Sequence, residues 1–454
     1  MQKNAMLMTE GPIYSKIVKF ALPIFLGNLF QQLYNVVDSL IVGNFLGKEA
    51  LAAISSTGSM IFLFVGLFGG VFSGAGVVIS RYFGAKDDAQ VQKAIHTTVG
   101  FGLMAGIVLT VLGTLLCPYV LQLMGTPEAV IGQATEYVRI YFAGILTIVL
   151  YNTANGIFQA IGDSRRPLYF LIASSIVNVV LDLVFVVGFG MGIGGAALAT
   201  VIAQGVSMFL AFRHLMTTQE IYRVEIKKIC LDKTMLKQIL HLGIPSGIQN
   251  SVIGLANVVV QSNINAFGAI AVAGAGAYAK IEGFAFIPIT SFAMSMTIYI
   301  GQNLGAGEYE RAKKGSYFGI AVSTLLSELV GIIFFFNAPH LIRFFNSDPE
   351  VVAYGTMQAK TIALFFFLLA FSHCMAGILR GAGKSIIPML VMLICWCMIR
   401  VLYVTVGTQV VDNIRIIYTA YPLTWSLSSV IFLAYYLKSD WLYGFQSKVV
   451  SQQV

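Results

Sequence analysis

Residues 22–47, LPIFLGNLFQQLYNVVDSLIVGNFLG, decide what kind of protein this chain is. The stretch is mostly apolar and exceeds the roughly 20 residues that a helix needs to cross a bilayer. It nevertheless carries one carboxylate, Asp38, with Tyr34 one helical turn before it and Pro23 near its start. An ionisable side chain at membrane depth is costly, so Asp38 is a candidate functional residue.

The composition of the whole chain also indicates a membrane protein. Of its 454 residues 57% are hydrophobic and 11% are charged, whereas soluble domains average about 25% charged residues. The formal net charge of +8 would suggest a nucleic-acid partner in a soluble protein. Here it fits basic loops on the cytoplasmic side, so no nucleic acid is expected. The five cysteines show no metal-ligand spacing, and no catalytic or phosphate-binding motif is present, so we expect neither an enzyme nor a cofactor.

Twelve apolar runs, separated by polar or glycine-rich breaks, follow one another along the chain. They predict an all-α integral membrane protein with twelve transmembrane helices. Basic residues gather in every second loop, most densely between residues 213 and 237. By the positive-inside rule, both termini are then cytoplasmic.

An internal repeat divides the chain into two halves. GIFQAIGDSRRP begins at Gly156 and GILRGAGKSIIP at Gly377, an offset of 221; at an offset of 222, Pro23 matches Pro245. We therefore predict six-helix lobes at 1–213 and 238–454, joined by a cytoplasmic linker at 214–237. Because each half has an even number of helices, the two bundles should be related by a pseudo-twofold axis along the membrane normal, as in carriers.

The repeat also shows that two acids belong to the first half only. At the repeat offset Asp38 corresponds to Val259 or Val260, and Asp182 corresponds to Tyr403. The repeated fold therefore does not require either carboxylate. Each is an addition that the second half lacks.

Each acid has a polar residue four positions before it on the same helical face. Asn178 precedes Asp182, and Tyr34 precedes Asp38. These side chains are either buried polar groups satisfied by neighbouring helices or an ion-binding pocket in the first lobe. A buried carboxylate beside a second one takes up a proton more readily than one in water. The same oxygens could hold Na⁺, and the sequence does not distinguish between H⁺ and Na⁺ as the bound ion.

The remaining polar residues in apolar runs allow several roles. Glu282 is a second cation or substrate site, or a residue paired near a helix end. Arg400 and His373 are buried and paired, or line the cavity, and the role of Glu328 stays open. Pro23 leaves a backbone carbonyl without its helical partner, so we predict a hinge there.

The chain resembles the multidrug and toxic compound extrusion (MATE) family. The resemblance rests on PIFLGNLFQQLYNVVD from Pro23, LGKEALAA from Leu46, GQNLGAG from Gly301 and the two repeated loops. It is similar to the DinF-like branch, which includes Gram-positive drug exporters. Members of the family are cation-coupled antiporters that expel cationic, aromatic, amphiphilic compounds.

The resemblance also implies roles for individual residues. The cation-coupling set falls on Asp38, Tyr34, Asn178 and Asp182. The substrate cavity receives the fourth-helix polar residues Tyr137 and Asn155, the sixth-helix residue Thr200 and, in the second half, Glu282. Arg400 is a further candidate for the cavity because it is a charged residue within an apolar run, and the resemblance does not name it. Glu282 is a loose counterpart of the acids of the NorM-like branch.

The expected function is H⁺- or Na⁺-coupled antiport by alternating access, exporting cationic amphiphilic drugs and toxic compounds across the cytoplasmic membrane. The expected partners are small aromatic cations and the lipid bilayer, and the chain is expected to be a monomer. A flippase for lipid-linked precursors is the alternative, disfavoured because few basic residues lie mid-span. A membrane-embedded enzyme lacks a visible nucleophile or metal cluster, and a channel lacks an obvious filter.

Overall fold

The computed structural model describes residues 7–123, 126 and 128–443. Within these ranges the chain is helical and has no β-strand. The helices are α1 (Ile13–Phe45), α2 (Gly47–Gly84), α3 (Asp88–Leu123), α4 (Glu128–Ala143), α5 (Ile145–Ala160), α6 (Arg165–Asp182), α7 (Gly192–Thr217), α8 (Lys233–Asn265), α9 (Ala269–Gly305), α10 (Tyr309–Arg343), α11 (Pro349–Ile362), α12 (Phe366–Gly381), α13 (Ile386–Met392), α14 (Arg400–Val410) and α15 (Arg415–Lys438). Short 3₁₀ turns occupy Ile226–Lys228 and Ala363–Phe365, and π-helical segments occupy Leu183–Gly188 and Leu393–Ile399.

Several pairs of consecutive helices are segments of one longer helix with a short break or bend, and we call each such longer helix a rod. The 3₁₀ turn Ala363–Phe365 links α11 to α12, the π-helical segment Leu393–Ile399 links α13 to α14, and α4 meets α5 at a bend of 51°. Counted this way, the described residues form twelve rods. Ten are long and apolar enough to cross a membrane, and the bent pair makes an eleventh. The predicted all-α, twelve-helix fold is confirmed, although α8 is too polar to pass this test.

The chain divides into two compact units. The first contains residues 7 and 22–247 of the described part, and the second contains residues 8–21 and 248–443. Both α1 and α8 therefore contribute to both units, and α1 changes unit between Ala21 and Leu22. The predicted lobes 1–213 and 238–454, with their linker at 214–237, stay a prediction.

Four glycines bring α2 and α8 together inside the first unit. Gly70 and Gly74 lie on α2, and Gly243 and Gly247 lie on α8, with the same spacing of four. A Cβ on Gly74 would lie 2.5 Å from Cα of Gly243. Real side chains do not approach so closely, so the two backbones are in direct contact and the glycines permit it.

The start of α8 is fixed by a carboxylate outside the spans. Asp232 precedes the helix, and its Oδ1 accepts the backbone N–H of Met235 at 2.8 Å. Its Oδ2 lies 2.9 Å from Nζ of Lys93 on α3. First the Met235 N–H and then the Lys93 ammonium hold the pKa of Asp232 below its usual range.

Residues of the second unit hold Met8 in place through hydrogen bonds. Met8 is fully buried, and its N–H donates to Oε1 of Gln302 at 2.9 Å. Its carbonyl oxygen accepts from Nδ2 of Asn303 at 3.4 Å and from Nε of Arg311 at 3.1 Å. The partners lie about 300 positions later in the chain, on α9 and α10.

Candidate functional site

The first-unit site begins at the end of α6. Asp182 is the last residue of that helix, and the π-helical segment Leu183–Gly188 follows it directly. Asp182 and Asn178 are both buried. With the Asn178 amide oriented to satisfy both neighbours, its nitrogen donates to Oδ2 of Asp182 at 2.8 Å. The predicted pairing of these two residues on one helical face is therefore present.

Helix α1 brings a second carboxyl group to the same place. The side chain of Asp38 is partly buried and interacts directly with that of Asp182. The two acids lie on helices far apart in sequence, and the first unit brings them together. The ion pocket suggested by the sequence stays a prediction.

Both carboxyl groups leave one oxygen without a donor. Oδ1 of Asp38 and Oδ1 of Asp182 are buried, and neither has a hydrogen-bond partner among the described residues. Buried polar atoms in folded proteins are nearly always paired with a protein group, a water or an ion. Two facing carboxylates also repel each other strongly where the dielectric is low. A proton or a metal cation between the two groups would remove this repulsion.

Helix α7 connects the two acid-bearing helices. The hydroxyl of Tyr34 on α1 interacts with the side chain of Thr200. The backbone N–H of Thr200 donates to the amide oxygen of Asn178 at 3.2 Å. A continuous path of polar contacts therefore runs from Tyr34 through Thr200 and Asn178 to Asp182.

Tyrosines of α4 form another side of the site. Tyr137 is buried and interacts electrostatically with Asp38, Tyr34 and Asp182. Its ring stacks on Tyr141, with the centroids 6.3 Å apart. Tyr141 also interacts with Tyr34. Aromatic rings beside carboxylates are suited to a cationic aromatic ligand.

Two sequence-predicted residues are not joined to this network by a described contact. Oδ1 of Asn155 accepts from Nε2 of Gln159 within α5 at 3.0 Å. Pro23 is buried in α1, and the helix continues through it. The predicted roles of Asn155 in the cavity and of Pro23 as a hinge stay predictions.

The second unit has a polar cluster of its own around Glu282 and Arg400. The hydroxyl of Tyr278 donates to Oε1 of Glu282 at 3.2 Å within α9. Glu282 also interacts electrostatically with Arg400 and Tyr421. The two charged residues named from the sequence, the half-buried Glu282 and the buried Arg400, are thus neighbours in one cluster.

The guanidinium of Arg400 is enclosed by two aromatic rings. It lies 4.5 Å from the ring centroid of Tyr421 and 5.6 Å from that of Trp396. Its Nε and Nη2 donate to Oγ1 of Thr424 at 3.2 and 3.0 Å. Like Asp182, Arg400 adjoins a π-helical segment, here Leu393–Ile399. Such segments are frequent at functional sites.

His373 sits at the edge of this second cluster. Its ring contacts Phe286 and Trp396, with centroid distances of 5.9 and 5.3 Å. Its Nε2 is buried and has no hydrogen-bond partner in the described part of the chain. Packing between aromatic rings accounts for the position of the imidazole.

Comparison with known proteins identifies the family. The family model MatE matches the chain twice, at residues 23–184 and 245–406. The matches share one length and lie 222 residues apart, which is the offset of the repeated prolines Pro23 and Pro245. Together they cover well over half of the chain.

The chain belongs to the MatE family.

Individual relatives agree over nearly the whole length. "Probable multidrug resistance protein YoeA" of Bacillus subtilis is 28% identical over 441 residues, covering 94% of each chain. A "FAD transporter" of Shewanella oneidensis is 24% identical and covers 95% of each. A crystal structure of a variant of the MATE transporter VcmN of Vibrio cholerae superposes with a TM-score of 0.88 at 20% identity, covering 95% of this chain and 98% of that one. This likeness shows the MATE fold.

Family membership confirms two sequence predictions. MATE proteins are multi-pass membrane transporters, so the chain is a transport protein and the membrane-enzyme alternative is excluded. The resemblance drawn from the quoted motifs is also confirmed. Neither result assigns a coupling ion, a substrate or a role to a single residue.

Sequence reasoning missed two residues that contact the polar network or its immediate neighbours. Tyr141 lies four positions after Tyr137, so helical spacing alone could have placed it on the same face. Gly144 separates α4 from α5 and contacts Val201 of α7. A single glycine in an apolar run gives no such signal, because the contact depends on a helix nearly 60 residues later.

Proposed function

We propose that the chain is a cation-coupled antiporter that exports cationic amphiphilic drugs across the cytoplasmic membrane. Support comes from relatives named as multidrug resistance proteins and from the first-unit site. The observation that carries the proposal is the contact of Asp38 with Asp182, each with one buried oxygen that lacks a donor. Two carboxylates in contact repel each other, so the pair would be stabilised by a proton or a metal cation bound between them.

The coupling ion is H⁺ or Na⁺ in this proposal. A proton would be shared between the two carboxyl groups and remove their repulsion. A sodium ion would take oxygen ligands from the carboxylates, with Asn178 and Tyr34 close by. In either case the ion neutralises the site and weakens its attraction for a cationic drug.

Export then follows from competition between ion and drug. The ion binds from outside, drug affinity falls, and the drug leaves; ion release inside restores the negative charge. Coupling requires that the drug bind differently in the two ion states. The contacts of Tyr34 with Thr200, and of Asn178 with Asp182, would transmit ion binding to α1 and α7. Pro23 cannot donate to the carbonyl of Lys19, so α1 can bend there.

We propose that five polar residues of the chain contact the drug. They are Tyr137, Asn155, Thr200, Glu282 and Arg400. Tyrosine rings and carboxylates attract aromatic cations. We further propose that the chain is a monomer in the cell membrane, with cytoplasmic termini.

A second candidate is export of anionic aromatic compounds. Arg400 is a buried cation between the rings of Trp396 and Tyr421, and these groups could bind a phosphate and a flat ring system. One relative is named a FAD transporter. A transport assay should therefore include FAD beside a cationic dye.

Transport by purified protein in liposomes tests both candidates. We expect a fluorescent dication to cross the liposome membrane in the direction opposite to the H⁺ or Na⁺ that flows down an imposed gradient. Asp38→Asn and Asp182→Asn should each abolish the gradient dependence. Asp412→Asn makes the same chemical change at an exposed loop position and should transport like the wild type. FAD movement without dication movement would replace the first candidate by the second, and gradient-driven dication transport by Asp38→Asn would remove Asp38 from the mechanism.

A further inference from the structure

The bend between α4 and α5 is closed by a defined set of backbone bonds around Gly144. The N–H of Gly144 lies 3.2 Å from the carbonyl oxygens of both Ile140 and Tyr141. Its own carbonyl oxygen accepts from the N–H and the hydroxyl of Thr147, at 3.0 and 2.8 Å. The 51° bend is therefore a built turn with satisfied backbone groups.

Gly144 is also where the bend touches α7. A Cβ at this position would lie 2.6 Å from Cγ2 and 2.9 Å from Cβ of Val201, and closer still to Cγ1. Valine in a helix is held to essentially one χ1 rotamer, so Val201 cannot turn aside. Only glycine lets α7 approach the bend this closely.

The close approach of α7 to the bend positions Thr200, the residue before Val201, in the network that joins Tyr34 to Asn178 and Asp182. Thr200 interacts with Tyr34 through its side chain and with Asn178 through its backbone N–H. Both contacts depend on the position of α7, and a shift of a few tenths of an ångström would lengthen them. Hydrogen bonds weaken steeply as distance and angle depart from their optimum.

Helix α4, which ends at the bend, carries two tyrosines of the site. Tyr141 and Tyr137 lie on α4, three and seven residues before Gly144, and both interact with Tyr34. The two elements that meet at Gly144 therefore each bring side chains to the acids. The contact between Gly144 and Val201 fixes their mutual distance.

We propose that Gly144 is a positioning residue for the carboxylate pair. By admitting Val201 against the α4–α5 bend, it sets the register of Thr200 and of the two tyrosines around Asp38 and Asp182. The inference rests on the proposed function of the carboxylates as the coupling site. It adds a residue that carries no polar side chain and touches neither ion nor drug.

Gly144→Ala tests the proposal through ion dependence. We expect the cation concentration at half-maximal dication efflux to rise about tenfold, which corresponds to about one pH unit for a proton, as one or two hydrogen bonds in the network are weakened. The drug KM should change much less. Adding Val201→Ala removes the two methyl groups nearest Gly144 and leaves only the Cβ at 2.9 Å, so the double variant should recover most of the wild-type midpoint.

Two other glycines provide matched controls. A Cβ on Gly156 of α5 would lie 3.7 Å from the carbonyl oxygen of Phe72, and one on Gly205 of α7 would lie 3.9 Å from Cγ2 of Thr147. Both are ordinary contact distances. Gly156→Ala and Gly205→Ala should therefore keep the wild-type midpoint.

The outcomes separate this inference from the proposed function. If Gly144→Ala does not fold, Val201→Ile adds a methyl group to one of the two γ-carbons that face Gly144 and should shift the midpoint in the same direction. An unshifted midpoint, or a shift that Val201→Ala does not reduce, overturns the role of Gly144 while the coupling site stands. Wild-type efflux that ignores both cations overturns the proposed function and this inference with it.

Discussion

At the residue scale, the informative side chains are polar groups in apolar runs. Asp38, Asp182, Asn178 and Tyr34 could be singled out from the sequence because any such group is conspicuous there and helical spacing pairs them. Their assembly into one network involves three helices, and only the fold brings these together. Gly144 could not be found this way, since its importance lies in a side chain that it lacks.

Asp232 allows a prediction about pH at a single residue. Its folded-state pKa is lowered, first by the N–H of Met235 and then by Lys93, from an unfolded value of about 3.9. Its carboxylate therefore stabilises the start of α8 above that pH, and the contribution is lost as the pH falls through the folded pKa.

Hydrogen exchange of residues 233–236, corrected for intrinsic rates, measures this effect. Protection in the wild type should fall on acidification below about pH 4. Asp232→Asn keeps an oxygen to cap the helix but has no charge to lose, so its protection should not follow this titration. An identical pH profile in both proteins would contradict the prediction.

At the element scale, both halves of the repeat interrupt a helix at the same place, but different contacts surround the two breaks. The break at Gly144 and the 3₁₀ turn Ala363–Phe365 lie at matching positions of the repeat. In the second unit, Oε2 of Glu328 on α10 accepts the N–H of Phe367 at 3.2 Å. A carboxylate from another helix thereby caps the first turn of α12, where N–H groups lack helical partners. This assigns a structural contact to Glu328, whose role the sequence left open.

Glu328→Leu should remove this cap and lower the thermal stability in detergent. The expected loss is about 1 kcal/mol, as for other N-terminal caps. Glu328→Gln retains an oxygen that can accept the Phe367 N–H, so it should lose much less. Equal losses in the two variants would mean that charge, not capping, explains the residue.

The contact of α2 with α8 gives a second prediction at this scale. Gly74→Ala forces a methyl group into the backbone of Gly243 and should destabilise the protein by about 1–3 kcal/mol. Gly69, on the same helix, has no atom within 4 Å of the place that a Cβ would occupy, so Gly69→Ala should be neutral or stabilising by up to about 1 kcal/mol. Thermal unfolding of both variants in one detergent compares them, and similar melting temperatures would argue against the backbone contact.

At the scale of the whole molecule, the sequence was most informative. The apolar runs and the repeat predict twelve helices and a duplicated chain because the bilayer constrains length and hydropathy so strongly. The breaks within rods were not predictable in the same way. Tertiary contacts such as those of Gly144 and Glu328 decide where a long apolar helix is interrupted.

Topology can be tested with a natural probe. Cys230, between α7 and α8, is exposed, and the other four cysteines are buried. If this segment is cytoplasmic, a membrane-impermeant maleimide should label inside-out vesicles and leave intact cells unlabelled. Cys230→Ser should remove the signal from the vesicles. Labelling of intact cells at Cys230 would reverse the proposed orientation.

The anchoring of Met8 has a consequence for biosynthesis. Met8 leaves the ribosome before its partners Gln302, Asn303 and Arg311, which follow it by about 300 positions. At translation rates of about 5–20 residues per second, the segment waits roughly 15 to 60 seconds for these partners. A chain that terminates before Gln302 never receives them. Burial of Met8 is therefore a marker that synthesis has reached the end of α9 and the start of α10, and an unburied Met8 segment would expose a shorter chain to proteolysis.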